Sequence, residues 1–342
     1  MTTFADGLYQ YGGQPVGNGL PVPFTGKAWF VNPATGSDGN TGKTPTKAFA
    51  TLYQALAKCT AGNNDVVYLI ANGSSTGFAR LSVALAASID STATAGTLVW
   101  NKANTHLVGV CAPGVGARAS IRPPTGTYTA ATFNAAPFIT VSANGCYFAN
   151  FGAMDEFSTG ADGQILFNVT GSYNVFNNVS MLGFGVAATA EGAASRTLKV
   201  GGGGENTFIN CQIGVDTITR SAANYNVEFV SGSARNRFIK CVFPVETDDI
   251  TAGIGLVTGT GLGRWVIFDD CLFISAVDNS SSVITNAFVA TAAGTNGSII
   301  LSHCNSVGVD EWGDTNAKAN MFVDNVGGAA TAGMMLAPTT SS

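Results

Sequence analysis

Thiols and carboxylates are the residue types here whose spacing invites a chemical reading. Seven cysteines occur in 342 residues, and several return on a beat: Cys211 in "FINC", Cys241 in "FIKC", Cys271 in "FDDC" and Cys304 in "LSHC". A zinc or redox site would want two cysteines a few residues apart, and no CxxC spacing occurs. Acids occur in adjacent pairs, Asp155/Glu156, Asp248/Asp249, Asp269/Asp270 and Asp310/Glu311. Two carboxylates held across a sugar bond can hydrolyse it, but neighbours in one extended strand point apart. The two histidines, His106 and His303, are isolated from one another. "GGGGENT" at 201–207 lacks the lysine and following helix of a phosphate loop. These features give no catalytic, cofactor-binding or metal-binding residue, and the protein is expected not to be an enzyme.

The beat points instead to the elements that carry it. The slot of Cys211, Cys241, Cys271 and Cys304 extends upstream through Val179 in "FNNV" and Phe151 in "FANF", with successive steps of 28, 32, 30, 30 and 33 residues. Cys111 in "HLVGVC" fits as an earlier member. Three residues ahead of Cys211, Cys241 and Cys271 stand Phe208, Phe238 and Phe268, and ahead of Cys304 stands Leu301. Two residues beyond the slot are Met181, Ile213, Phe243 and Phe273. An earlier apolar segment in each repeat ends in a small-residue turn, as in "TLKVGGGG" and "VEFVSGSA", so each unit reads strand, turn, strand. Periods near thirty mean a solenoid whose units bury their apolar faces on one another. The units are rich in Val, Ile, Phe and Thr, which selects strands over helices.

Residues three apart in a straight strand face opposite sides. Phe208 and Cys211 both face inward only if the chain turns between them. The corner position is Asn150, Asn178, Asn210, Lys240, Asp270 and His303 in successive units. Asparagine tolerates the left-handed conformation of a tight corner and can bond from coil to coil. Lys240 and Asp270, on neighbouring coils, are expected to lie within ion-pair reach. The cysteines act as small buried hydrophobes. The fold class is therefore all-β, a single-stranded parallel β-helix.

Residues 1–26 have no period and form an extended arm. Its Phe4, Leu8, Tyr9, Tyr11, Leu20 and Phe24 exceed what a solvated tail needs. Residues 27–65 hold a strand, a polar loop and a helix over "TKAFATLYQALAKC", with Phe49, Leu52, Ala55 and Leu56 as its apolar stripe, placed to cap the first edge of the solenoid. The β-helix spans 66–304, and 305–342 reads as an irregular last coil or cap.

The opening "WFVNPATGSDGNTG", the "AFATLYQAL" helix and the "VVYL" strand resemble the start of right-handed parallel β-helix proteins of the pectate-lyase-like superfamily. The resemblance implies right-handedness and brings polysaccharide hydrolases and lyases into view, yet the NTD, DD, GHG and RIK pattern of polygalacturonases is not present in order. With the "ADGLYQYGGQPVG" arm, the chain is also similar to bacteriophage virion proteins, tail spikes and capsid-decorating proteins, commonly trimeric. That likeness implies a structural virion protein, a capsid decoration or head spike anchored through its arm, with a homotrimer, the major capsid protein and a host surface glycan as partners. The alternatives are a receptor-binding tail spike and a polysaccharide lyase or hydrolase. Charged residues make up only 11% of the chain and the basic ones do not cluster, so nucleic acid is not expected as a partner. The N-terminus has no secretory pattern and no segment suits a bilayer, so synthesis is expected in the cytoplasm, and the resemblance to virion proteins implies the virion as the product's place.

Overall fold

The computed structural model describes residues 25–324 except 72–76, 82–96, 113, 115, 117–118, 124–136, 157–163, 186–191, 276–282 and 293–295, together with the backbone of 10–11, 14–15 and 333–334. Three parallel sheets, of eleven, eight and eight strands, run the length of the molecule. One coil passes from the first sheet (Thr207–Ile209) to the second (Gln212–Ile213) and then to the third (Tyr225–Phe229), before the next coil begins at Asn236–Ile239. Each strand bonds to its counterpart one coil away, as in Phe176↔Phe208, Phe208↔Phe238 and Phe238↔Phe268. The fold is a right-handed parallel β-helix. Each coil has three strands, not two, because the corner after the phenylalanine strand starts a new strand.

That corner is left-handed at every expected position. Asn150, Asn178, Asn210, Lys240, Asp270 and His303 have φ between 52° and 57°. One left-handed residue redirects the chain so that both flanking side chains enter the interior. Asn150 donates to the carbonyls of Gly109 and Cys111, both at 2.9 Å, and Asn178 donates to Asn150 Oδ1 at 2.8 Å. Lys240 and Asp270 share the corner but, among the described residues, form no ion pair. A side chain at such a corner leans outward, and His303 instead approaches Asp269 at 3.5 Å and Asp324 at 3.7 Å.

The interior is a set of stacked columns. Phe148, Phe176, Phe208, Phe238 and Phe268 stack with centroids 4.6–4.9 Å apart and planes within 13°. These spacings match the separation of adjacent strands. Beside them Cys211, Cys241, Cys271 and Cys304 are buried free thiols. Each donates a weak bond of 3.4–3.5 Å to the phenylalanine carbonyl one coil back, Phe176, Phe208, Phe238 and Phe268 in turn. Burial pushes the Cys241 thiol up, and the hydrogen bond with Cys271, followed by burial, pushes the Cys304 thiol up, so both stay protonated. Cys111 is not in this column. Gly152 pairs with Ser120, which puts buried Ala119 beside Phe151, and Cys111 lies half-buried just past the strand Thr105–Val110.

The ends also differ from expectation. The helix is shorter, Leu52–Lys58, because Thr51 caps it by accepting from Gln54 N at 3.2 Å. Phe49 therefore lies outside it, bridged to Val31 at the sheet edge and fully buried. Lys102 donates to the carbonyls of Leu56, Ala57 and Cys59 at 2.7, 3.0 and 2.6 Å, tying the helix end to the first coils. Past Cys304 all three sheets continue, through Asn305–Val307, Val309–Gly313 and Met321–Val323, with a short helix, Thr315–Lys318, replacing a turn. The side chains of the proposed anchoring arm, Phe4, Leu8, Tyr9, Tyr11, Leu20 and Phe24, lie outside the described residues.

Candidate functional site

The outer face of the third sheet gathers charge. Asn168, Lys199, Glu228, Leu256 and Val289 occupy one outward row, and Ile165, Arg196, Tyr225 and Gly253 another. Arg196 Nε lies 3.1 Å from Glu228 Oε2, and Lys199 Nζ lies 3.7 Å from Oε1. Thr258 Oγ1 donates to the same Oε1 at 3.1 Å. Arg196 also donates to the carbonyls of Ala193 and Ser195, and its guanidinium lies 5.3 Å from the centre of the Tyr225 ring. Gly253 lets that ring lie flat across the sheet, since a Cβ there would stand 2.6 Å from it. Burial pulls the Arg196 guanidinium down and pushes the Tyr225 hydroxyl up. Arg196 is nearly buried, whereas Lys199 keeps 30% of its side chain in solvent. The group is a rigid, mostly desolvated ion pair with one accessible cation beside it. It can hold an anionic or hydroxyl-rich ligand. Among the described residues, Glu228 is the one carboxylate in the group.

A second cluster closes the far end of the second sheet. Glu156 joins Arg122 at 2.7 Å and Arg80 at 3.4 Å, and Arg122 stacks over Phe78 at 4.7 Å. Asp155 points the other way, into the protein. It accepts from Gly185 N at 2.8 Å, and burial lifts its carboxyl to about 7. The remaining acid pairs do not converge on either cluster. Asp249 caps Thr251, and Glu311 pairs with Lys318. His106 is buried, donating and accepting between Asn64 Oδ1 at 2.6 Å and Tyr147 N at 3.0 Å, and burial lowers it to about 4.

The Arg196–Glu228 group escaped the sequence reading. Its signal is "RTLKV" followed one coil later by "YNVEF". Arg196 registers with Tyr225, and Lys199 with Glu228, so the ion pair runs diagonally and no column displays it.

No protein-family model and no curated protein sequence matches the chain. Solved structures do match, as parallel β-helices. The pectate lyase Pel9A shares 16% identity over 87% of this chain and 68% of that one, with a TM-score of 0.57. A pectin methylesterase mutant in complex with hexasaccharide IV shares 16% identity over 90% and 92%, with a TM-score of 0.54. A more distant match, ORF18 of Geobacillus virus E2, shares 11% identity over 80% and 58%, with a TM-score of 0.40. The fold is that of the pectate-lyase-like right-handed β-helices. The expectation that the protein is not an enzyme is overturned here. Pel9A and the methylesterase are enzymes on this fold, and a missing polygalacturonase pattern excludes only one of its chemistries.

Proposed function

We propose that the protein engages an acidic polysaccharide along the outer face of its third sheet. The observation that carries this is the half-exposed Lys199 cation beside the desolvated Arg196–Glu228 pair, on a flat face bordered by Tyr225. A uronate carboxylate takes a charge-assisted bond from Lys199, while the buried Tyr225 ring holds Arg196 in place beneath it. The shared fold with a pectate lyase and a hexasaccharide-bound pectin methylesterase supports the same reading. Polygalacturonate binding by titration calorimetry tests it. Lys199→Gln is expected to weaken binding about tenfold, the loss of one hydrogen bond to a charged group. Equal affinity of the variant and the parent would remove this face from consideration. Product analysis of the same incubations reads any cleavage or de-esterification.

The arm favours a setting for this activity. Residues 1–26 carry large apolar side chains on a glycine- and proline-rich backbone, which suits an element that orders against a partner. In this reading the protein is a homotrimeric phage spike or capsid decoration, held to the major capsid protein by its arm and presenting the third sheet to a host surface glycan. Deleting residues 1–25 is expected to leave the circular dichroism spectrum unchanged and to abolish incorporation into particles. Full occupancy of particles by the truncated protein would show that the arm is not the anchor.

A further inference from the structure

Arg220 is fully buried, just past the second-sheet strand of its coil, in a parallel bridge with Thr247. Its Nη2 donates to Asn226 Oδ1, and Asn226 spends its own amide on the carbonyls of Ile213 and Pro244 at 2.6 and 3.1 Å. Its Nη1 is buried with no hydrogen-bond partner. None of the described ion pairs includes Arg220. The nearby Glu246 carboxylate is taken by the Thr219 hydroxyl at 2.5 Å. The charge that does bear on Arg220 is another cation, Arg196. A guanidinium withdrawn from water without a counter-charge is one of the costliest arrangements a fold can hold.

The surroundings are built, not accidental. Phe184 lays its ring 4.5 Å from the guanidinium carbon and adopts a left-handed φ of 55° to do so, a strained conformation for a bulky residue. Phe184, Val215 and Ile218 form a small apolar cluster apart from the main core. Thr197 occupies the position beside Asn226 on the adjoining strand, between the registered pairs Arg196↔Tyr225 and Leu198↔Val227. Its hydroxyl is also buried without a partner. Gly183 faces that hydroxyl, and a Cβ there would stand 2.5 Å from it. Two unspent donors, one of them charged, thus share one closed corner between the second and third sheets.

We propose that this corner is a structural anion site, in which a small monovalent anion of halide size accepts from Arg220 Nη1 and from the Thr197 hydroxyl. A water molecule would satisfy the donors but not the charge. A sugar carboxylate belongs on the outer face, since Arg220 has no exposed surface. The anion neutralises the interior side of the same sheet whose outer face carries Arg196 and Glu228, so it fixes that sheet without being part of the ligand face.

The test uses the full chain at constant ionic strength, with sodium bromide replacing sodium gluconate, whose anion is too large for the corner. An anion bound only by the folded state raises the unfolding midpoint by about 2 °C for each tenfold increase above its dissociation constant. Arg220→Met is expected to lose this dependence. Anomalous scattering from a bromide-soaked crystal of the unmodified protein is expected to show a peak within hydrogen-bond distance of Nη1, and it stands as a test even where the variant does not fold. The same midpoint in both salts, an equal bromide response in Arg220→Met, or no bromide peak at Nη1 would each overturn the site.

Discussion

Replacing Phe238 by alanine is expected to lower the unfolding free energy by about 3–5 kcal/mol, the usual cost of truncating a fully enclosed phenylalanine. The ring lies between Phe208 at 4.6 Å and Phe268 at 4.8 Å, and it meets Phe229 and Phe243 at 5.9 and 5.8 Å. No face of it reaches solvent. A stack held by neighbours on both sides has no slack with which to collapse into the void, which favours the upper part of that range. Stability in a solenoid is shared between adjoining units, so the damage reaches the coils of Phe208 and Phe268 first. Denaturant unfolding measures the total, and amide exchange in strands Thr207–Ile209 and Trp265–Asp269 locates it. Phe322→Ala, at a ring already 41% exposed in the same sheet, is expected to change stability by less than about 0.5 kcal/mol. Equal effects at the two positions would mean that the stacked column does not carry the fold.

That column was readable because a solenoid writes its interior into the sequence at fixed intervals. Phe208, Phe238 and Phe268 register as their spacing requires, and the left-handed corner follows from two inward residues three apart. The arithmetic fails where a loop is inserted. Cys111 has the right neighbours in sequence, but Ala119, eight residues on, takes the interior place beside Phe151. A second ladder also went unread. Asn174, Asn206 and Asn236 are fully buried at the start of successive phenylalanine strands, and Asn206 and Asn236 accept from the backbone N–H of the preceding member at 2.9 and 3.0 Å. Its signal is N-x-F, in "NVF", "NTF" and "NRF". Polar side chains are ordinarily assigned to the surface, and a buried asparagine is legible only when its bonds are known. The ligand face is harder still. Arg196 and Glu228 are brought together by register and a diagonal reach, while Arg220 meets Asn226 and Phe184 through loops of unequal length.

Asp155→Asn is expected to make stability depend on pH in a way that the parent protein conceals. The Asp155 carboxyl rises from 3.8 to about 7, first because it is buried, against the opposing donation from Gly185 N and the positive charge of Arg122. A group whose pKa is raised by folding contributes its full stability below the unfolded value and loses it as pH climbs through the folded one. Between about pH 4 and 7 the folded protein must hold a proton that the unfolded chain releases, so stability falls across this window by roughly 4 kcal/mol, and above it the carboxylate is charged in its buried site. His106 works in the other direction. Burial lowers it from 6.5 to about 4, and its ring accepts from Tyr147 N, so its contribution is present above 6.5 and lost as pH falls toward 4. That contribution is roughly 3 kcal/mol. The two slopes oppose each other over most of the same window, and the parent curve is nearly flat there. Asparagine keeps an oxygen to accept from Gly185 N but carries no proton to lose. The variant is expected to gain about 4 kcal/mol relative to the parent between pH 4 and pH 8, with the rise attributable to His106 exposed as its remaining slope below pH 6.5. Urea unfolding of both proteins at half-unit pH steps measures the difference directly. A constant offset between the two curves would mean that Asp155 stays ionised throughout, and that the loop it holds through Gly185 is hydrated in solution.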